Sequence, residues 1–314
     1  MKIRRFESTD ADYEGIVAVH NAACPRDQVS VELMRQVDSR RKPQFFFERY
    51  VGEIGGQMVA TGAISHVRQS FRPNKYFIDW DSHPQSGAAV DVAFFDDLYG
   101  RLLARNPQRI ESYVREDHAH RVARLNELGF RPGLVDAYSA LHVPDFSFEA
   151  YSALPAHVAT LGVQIVTLSE WENSAESDWK TKLEQAEWDL VQDVPHDEPF
   201  TRKTIDEWWE LLSDPRKPHD GYFIALAPNR EIIGVSYLVK GVQGVFYTGL
   251  TAVARDWRRK GIATMLKVRA IRYAHNMGAH TIQTDNEENN PMYALNIQLG
   301  FEPLPAWQEY IREF

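Results

Sequence analysis

The sequence predicts an α/β protein in which one plan, a mixed and mostly antiparallel sheet flanked by helices, occurs twice. Three observations carry that reading. The chain has 314 residues, about twice the usual length of one domain. The segment from His118 to Pro132 reappears in outline from Asn289 to Pro303, and both copies end in Leu-Gly-Phe-x-Pro, as Leu128-Gly129-Phe130 and Leu299-Gly300-Phe301. Each copy is preceded by the same order of strand, helix and strand.

In the first half, Lys2–Phe6 reads as an opening strand, followed by one or two helices and a hairpin. A strand at Lys75–Trp80, a helix at Val90–Ala104, a strand at Arg109–Val114 and the helix of the first copy complete it. The second half opens with a strand at Val163–Leu168, then helices at about Ser174–Leu190 and Arg202–Leu212. A hairpin follows, with strands Gly221–Leu226 and Glu231–Lys240 around Pro228-Asn229-Arg230. Then come a strand at Gly244–Val253, a helix at Ile262–Asn276, a strand at Thr281–Thr284 and the second copy. In both copies the helix stops at a glycine suited to the left-handed position, and an aromatic residue starts an extended segment. Residues 144–162, with Pro144 and Pro155 among small residues, mark the boundary between domains at 1–150 and 160–314.

Hydrophobic residues at 44 % and charged residues at 25 % exclude a mainly disordered or low-complexity chain. No window approaches eighteen uninterrupted apolar residues, and the first residues lack the apolar stretch of a secretion signal, so a cytoplasmic protein without membrane contact is expected. The single cysteine, Cys24, cannot close an intramolecular disulfide or supply a thiolate zinc cluster by itself. A net charge of −9 disfavours nucleic acid as a partner, and no local basic stripe reverses that.

The chemistry is expected at Thr251-Ala-Val253-Ala-Arg-Asp-Trp-Arg258-Arg259-Lys260-Gly261-Ile262-Ala263-Thr264, between an apolar strand and an amphipathic helix. A loop ending at a helix start aims unpaired N–H groups and a partial positive charge at one spot. Gly261 permits close approach, Ala263 keeps the first turn small, and Arg258, Arg259 and Lys260 add charge, so an anion such as a pyrophosphate fits there.

With Arg258-x-x-Gly261-x-Ala263 after a strand ending in Val253, and Asn289-x-x-Met292-x-x-x-Asn296-x-x-Leu-Gly-Phe downstream, the chain resembles the GNAT superfamily of acyl-CoA-dependent N-acyltransferases. The likeness covers 163–314, with a weaker, degenerate copy over 1–143, and the chain resembles tandem two-domain members similar to mycothiol synthase, some of which have a like Asn-x-x-Met motif. It implies two tandem GNAT-like domains, each with a splayed central strand pair. Acetyl-CoA is implied as co-substrate, its pantetheine along the backbone of Thr251, Ala252 and Val253, its pyrophosphate on the N–H groups from Arg259 to Thr264, and Asn289 and Met292 on its arm. The resemblance puts the thioester-polarising N–H at Val253. Its usual acid, a tyrosine, falls at Asn296, an amide that hydrogen-bonds but delivers no proton.

Residues 163–214 carry 14 acidic and 4 basic side chains. Family likeness makes that region one wall of the acceptor site, so Glu187, Asp189, Asp193, His196, Asp197 and Glu198 are candidate bases, against a solvated acidic face as the ordinary explanation. Trp188, Trp208 and Trp209 read as packing residues ahead of an acceptor pocket. In the first half Pro84 stands where the arginine would be, and Asp79, Asp81 and Asp91 are expected to repel a pyrophosphate. His118 takes the place of Asn289, and with His120 it is expected at the surface. No metal site is expected. The expected activity is transfer of acetyl to a primary amine of a small molecule by direct attack, in a monomer or homodimer. The alternative is a catalytically weak protein of the same fold that binds or senses acyl-CoA or a small molecule.

Overall fold

A computed structural model describes all residues except 174–176 and 196–197. The helix expected from Ser174 therefore starts outside the described residues. The chain divides into two compact units, and the division is not sequential. Unit 1 holds Met1–Asp136, a short stretch ending at Thr201, and Pro305–Phe314; unit 2 holds the remainder from Ala137 to Leu304.

The elements of unit 1 are β1 (Lys2–Arg5), α1 (Asp10–Ala23), α2 (Val31–Ser39), β2 (Phe47–Ile54), β3 (Gln57–His66), β4 (Lys75–Ser82), α3 (Ala88–Leu103), β5 (Arg109–Arg115) and α4 (Ala119–Glu127). Then β6 (Arg131–His142) runs across the division at Asp136. Unit 2 continues with α5 (Leu154–Thr160), β7 (Gln164–Thr167), α6 (Leu168–Glu172), α7 (Trp179–Val191), α8 (Ile205–Leu212), β8 (Tyr222–Leu226), β9 (Ile232–Lys240) and β10 (Val245–Val253). It ends with α9 (Ile262–Asn276), β11 (Thr281–Glu287), α10 (Pro291–Gln298) and β12 (Glu302–Pro303), after which β13 (Trp307–Glu313) returns to unit 1.

Both units are mixed sheets flanked by helices. In unit 1 the strand order is β1-β2-β3-β4-β5-β13-β6, antiparallel except at β4/β5. In unit 2 it is β6-β11-β10-β9-β8-β7, with β10/β11 parallel. The parallel pairs have the same form. β4 meets β5 only from Lys75↔Arg109 to Phe77↔Glu111, and β10 meets β11 only from Val245↔Thr281 to Tyr247↔Gln283. Beyond those short ladders the strands part, which is the splay the resemblance implies.

The unit 2 sheet is covered on both faces. A register shift in the β8/β9 ladder, where Ala225 pairs Gly234 but Leu226 pairs Ile232, moves Ile233 to the face of Leu238. Both pack with the buried stripe of α9 (Ile262, Met265, Leu266, Ala270, Ile271, Ala274), while Val235 packs on the other face with Trp171, Leu183, Leu190 and Trp208 from α6, α7 and α8. Each large apolar side chain buried this way contributes roughly 1.5–3 kcal/mol. Residues 144–162 are not a plain linker: α5 lies in this stretch, and Val158 joins the α9 core. Unit 1 is cored by Ile78, Phe94, Phe95, Leu98 and Ile110, with Tyr310 of β13 among them.

Candidate active site

In unit 2, β10 carries a bulge between Thr248 and Thr251 in its ladder with β9. The bulge bends the strand just where β11 has left it, so its far half keeps a partner on one edge alone. Ala254 N–H donates to Ile233 O at 2.8 Å. Alternation along an extended strand then turns the N–H groups of Thr251 and Val253 to the open edge.

After β10 the chain makes a short 3₁₀ turn (Arg255–Trp257) and enters α9 through two left-handed residues, Arg259 (φ 61°) and Gly261 (φ 80°). Gly261 is the N-cap, and no side chain caps the helix. The first bond of the helix is Met265 N–H to Gly261 O at 3.0 Å, so the N–H groups of Ile262, Ala263 and Thr264 have no intrahelical acceptor. A Cβ at Gly261 would already meet Leu154 Cδ1 at 3.2 Å, besides being strained by its φ.

The strand edge and the helix start share one cleft of about 460 Å³. Its floor is Thr251, Ala252 and Val253, and its anion end is Arg258, Arg259 and Gly261 to Thr264. One wall comes from α7 and the residues after it (Leu190, Asp193, Val194), the other from α10 (Pro291, Met292, Ala294, Leu295, Gln298) with its cap Asn290. The α10 spacing is i, i+3, i+4, i+7, one face of a helix.

That rotation decides which of the expected residues meet. The helix-start residue is Asn290, whose side chain accepts from Met292 N–H at 2.9 Å. Asn289 instead turns its Nδ2 to Glu287 Oε1 at 2.8 Å, outside the cleft lining. Asn296 is not at the cleft: it is 0 % exposed, donates Nδ2–H to Asn286 Oδ1 at 2.7 Å, and its own Oδ1 has no partner. The structure thus does not bring the amide beside Val253. Lys260 folds back onto Asp256 O at 2.9 Å, over the Trp257 ring. Asp193 is among the residues expected in a wall of the site, whereas Asn290, Leu190 and Val194 were missed by sequence reasoning, although the α10 periodicity contains the signal for Asn290.

Asp193 shapes the electrostatics. Its carboxylate pairs with Arg255 and with Arg258, and both guanidiniums hold it below the usual carboxylate range, Arg255 most strongly. Arg258 Nε also donates to Val253 O at 2.8 Å. An arriving anion competes with Asp193 for Arg258.

One turn before Leu190 on α7, Glu187 accepts hydrogen bonds from Tyr222 Oη and Trp208 Nε1. Burial pushes its carboxyl up, against the pull of these two bonds and of Lys217. Tyr222 stacks on Tyr237 at 5.0 Å, and the Tyr237 ring lies where Gly249, in the β10 bulge, would carry a side chain. Trp208 is buried and Trp209 packs against the same core, as expected of packing residues. Asp189 is exposed and bonded to Gln185. Glu198 belongs to unit 1, where it pairs with Lys75, Arg72 and Arg109, so it is no wall of this cleft. His196 and Asp197 lie outside the described residues.

Unit 1 has the matching helix start at Gly87, again without a side-chain cap. Asp91 there is not a free repelling charge: it is buried and bonded to Arg121, His120, Ser82 and Trp80. Of the two histidines expected at the surface, His120 is 40 % exposed, but His118 is 23 % exposed with its Nδ1 buried and unpartnered.

Among the described residues no helix is long and apolar enough to cross a membrane. Residues 180–301 match the model of the acetyltransferase (GNAT) family. No curated protein sequence matches the chain. Among solved structures, a tandem GNAT protein from the clavulanic acid biosynthesis pathway superposes with a TM-score of 0.74 at 16 % identity, over 99 % of this chain and 98 % of that one. A GCN5-related N-acetyltransferase from Sphaerobacter thermophilus gives 0.70 at 16 % identity, over 99 % and 95 %. At such identities the likeness is one of fold alone, and function has to be argued from the site. Residues 180–301 thus match the acetyltransferase (GNAT) family, in a chain with the fold of the tandem GNAT proteins.

Proposed function

We propose that unit 2 binds acetyl-CoA and transfers its acetyl group to a primary amine of a small molecule by direct attack. One observation carries the reading: a strand edge left open by the splay of β10 from β11 and an uncapped, left-handed helix entrance line the same cleft. These features fit the two ends of a CoA arm. The open edge at Thr251, Ala252 and Val253 suits the pantetheine amides, as an added strand would. The N–H groups from Arg259 to Thr264, with Arg258 released from Asp193, suit the pyrophosphate. Met292 and Leu295 flank the arm.

Acetyl-CoA supplies a thioester already activated towards amines. The chain holds the two reactants together, and the Val253 N–H hydrogen-bonds the thioester carbonyl. We assign the proton of the amine to Glu187, whose carboxyl is raised by burial, is held by Tyr222 and Trp208 and stands behind the cleft lining, one turn before Leu190.

Calorimetric titration of acetyl-CoA is expected to give one equivalent bound per chain, with binding lost in the Arg258→Ala, Gly261→Asp double variant. Binding that survives in the double variant overturns the placement. With an amine panel and a thiol-release readout, Glu187→Gln is expected to lower kcat by about 10²–10⁴ while leaving acetyl-CoA binding intact. A second reading, an acyl-CoA sensor, is favoured by the burial of Asn296 and by the absence of a tyrosine from the described cleft lining. Binding without turnover across the panel would establish it.

A further inference from the structure

We propose that unit 1 carries a zinc-type divalent cation site built from His20 Nδ1, Cys24 Sγ and the Asp81 carboxylate, independent of the cleft in unit 2. His20 sits in the last turn of α1 and Cys24 is the residue that closes that helix, four positions on and on the same face. Asp81 comes from β4, across the unit from them. The three side chains meet: His20 Nδ1 is 2.7 Å from Asp81 Oδ2, Cys24 Sγ is 3.8 Å from Asp81 Oδ1, and all the ligand atoms lie within 4.8 Å of one another. In a tetrahedral zinc site, with bonds of about 2.0–2.3 Å, neighbouring ligand atoms stand roughly 3.3–3.8 Å apart. The observed set needs shifts of only about 1 Å to take up that geometry.

Two further features point to an ion. His20 Nε2 lies 2.9 Å from Asp27 O. The hydrogen on Nδ1 is shared with Asp81 Oδ2 at 2.7 Å; an ion that displaces it meets the Nδ1 lone pair while Nε2–H stays on Asp27 O, the arrangement by which a backbone carbonyl orients a metal-binding imidazole. His20 and Asp81 also line a cavity of about 260 Å³, with Asp79 on its wall, so a fourth position has room for a water or a small ligand. An imidazole, a thiolate and a carboxylate form a borderline-soft set that favours zinc over magnesium or calcium. Bound there, the ion ties the end of α1 to β4.

The competing description is a histidine–carboxylate ion pair with a thiol resting against it. Cobalt(II) separates the two, because its thiolate complex absorbs in the near ultraviolet. The full chain, stripped by chelator and titrated with cobalt(II), is expected to develop a thiolate-to-metal charge-transfer band that saturates at one equivalent and is bleached by one equivalent of zinc. Cys24→Ser is expected to abolish the band, and His20→Asn and Asp81→Asn to weaken cobalt binding at least tenfold. Zinc is expected to stay with the unmodified chain through desalting at one per chain. A band that persists in folded Cys24→Ser, or no band together with no retained zinc in the unmodified chain, overturns the proposal. Should Cys24→Ser fail to fold, the His20→Asn and Asp81→Asn affinities decide the matter by themselves.

Discussion

His118 begins α4 of unit 1 at the place where Asn289 stands in the second copy, and its environment opposes a positive charge. Burial lowers its pKa to about 4, aided by Arg121 and Arg115 and only partly offset by Asp117 and Asp91. An unfolded histidine takes up a proton near pH 6.5, so between that pH and about 4 the unfolded chain binds a proton that the folded chain refuses. Stability from this group is therefore complete above pH 6.5 and lost as the pH falls through 4, by on the order of 2–3 kcal/mol. Urea unfolding of the wild type and of His118→Gln from pH 4 to 8 should show a flatter acid limb in the variant, and parallel curves above pH 7. The sequence showed the residue but not its burial, because nothing local tells a histidine at a helix start that Arg115 and Arg121 will close around it.

At the scale of elements, apolar period and glycine position carried the reading furthest. The helix Ile262–Asn276 and the hairpin at Pro228-Asn229-Arg230 stand where the sequence puts them, since each has an unbroken pattern and a turn residue at its end. Rotation of a helix about its own axis is harder to read. An offset of one residue moves a side chain by about 100°, and that is the distance between Asn289 and Asn290 at α10 and the reason Asn296 turns inward. α8 is more explicit: Thr204 and Glu207 form a reciprocal capping box at its start. Thr204→Ala is expected to cost about 1 kcal/mol in thermal or chemical unfolding, without change in acetyl-CoA affinity. A loss of affinity instead would mean that α8 sets the shape of the cleft.

For the molecule as a whole, the repeat of Leu-Gly-Phe-x-Pro and of the strand order announced two copies, and the matching three-residue parallel ladders of β4/β5 and β10/β11 are its structural counterpart. The destination of β13 was not legible. Its pairing, Trp307↔Arg115 through Glu313↔Arg109, joins segments far apart in sequence, and a strand's own pattern never states its partner. Tyr310 fills the core of unit 1, and Glu309 accepts from Leu134 N–H at 3.1 Å. A chain ending at Leu304 is expected to lose the cooperative unfolding of unit 1, seen as early exchange of the β5 amides, while the β8 and β9 amides stay protected. Equal protection of β5 in the shortened chain would show that unit 1 stands without its borrowed strand.

The same strand sets an order of events during synthesis. Unit 1 has most of its residues before unit 2 begins, yet the place between β5 and β6 is filled only by residues made after unit 2 is complete. Until then a growing chain presents two exposed strand edges, the kind of surface that pairs with whatever extended segment arrives first. The interval between translating Asp136 and translating Trp307 is therefore the period in which this protein is most open to chaperones, to strand exchange with a sister chain, and to aggregation.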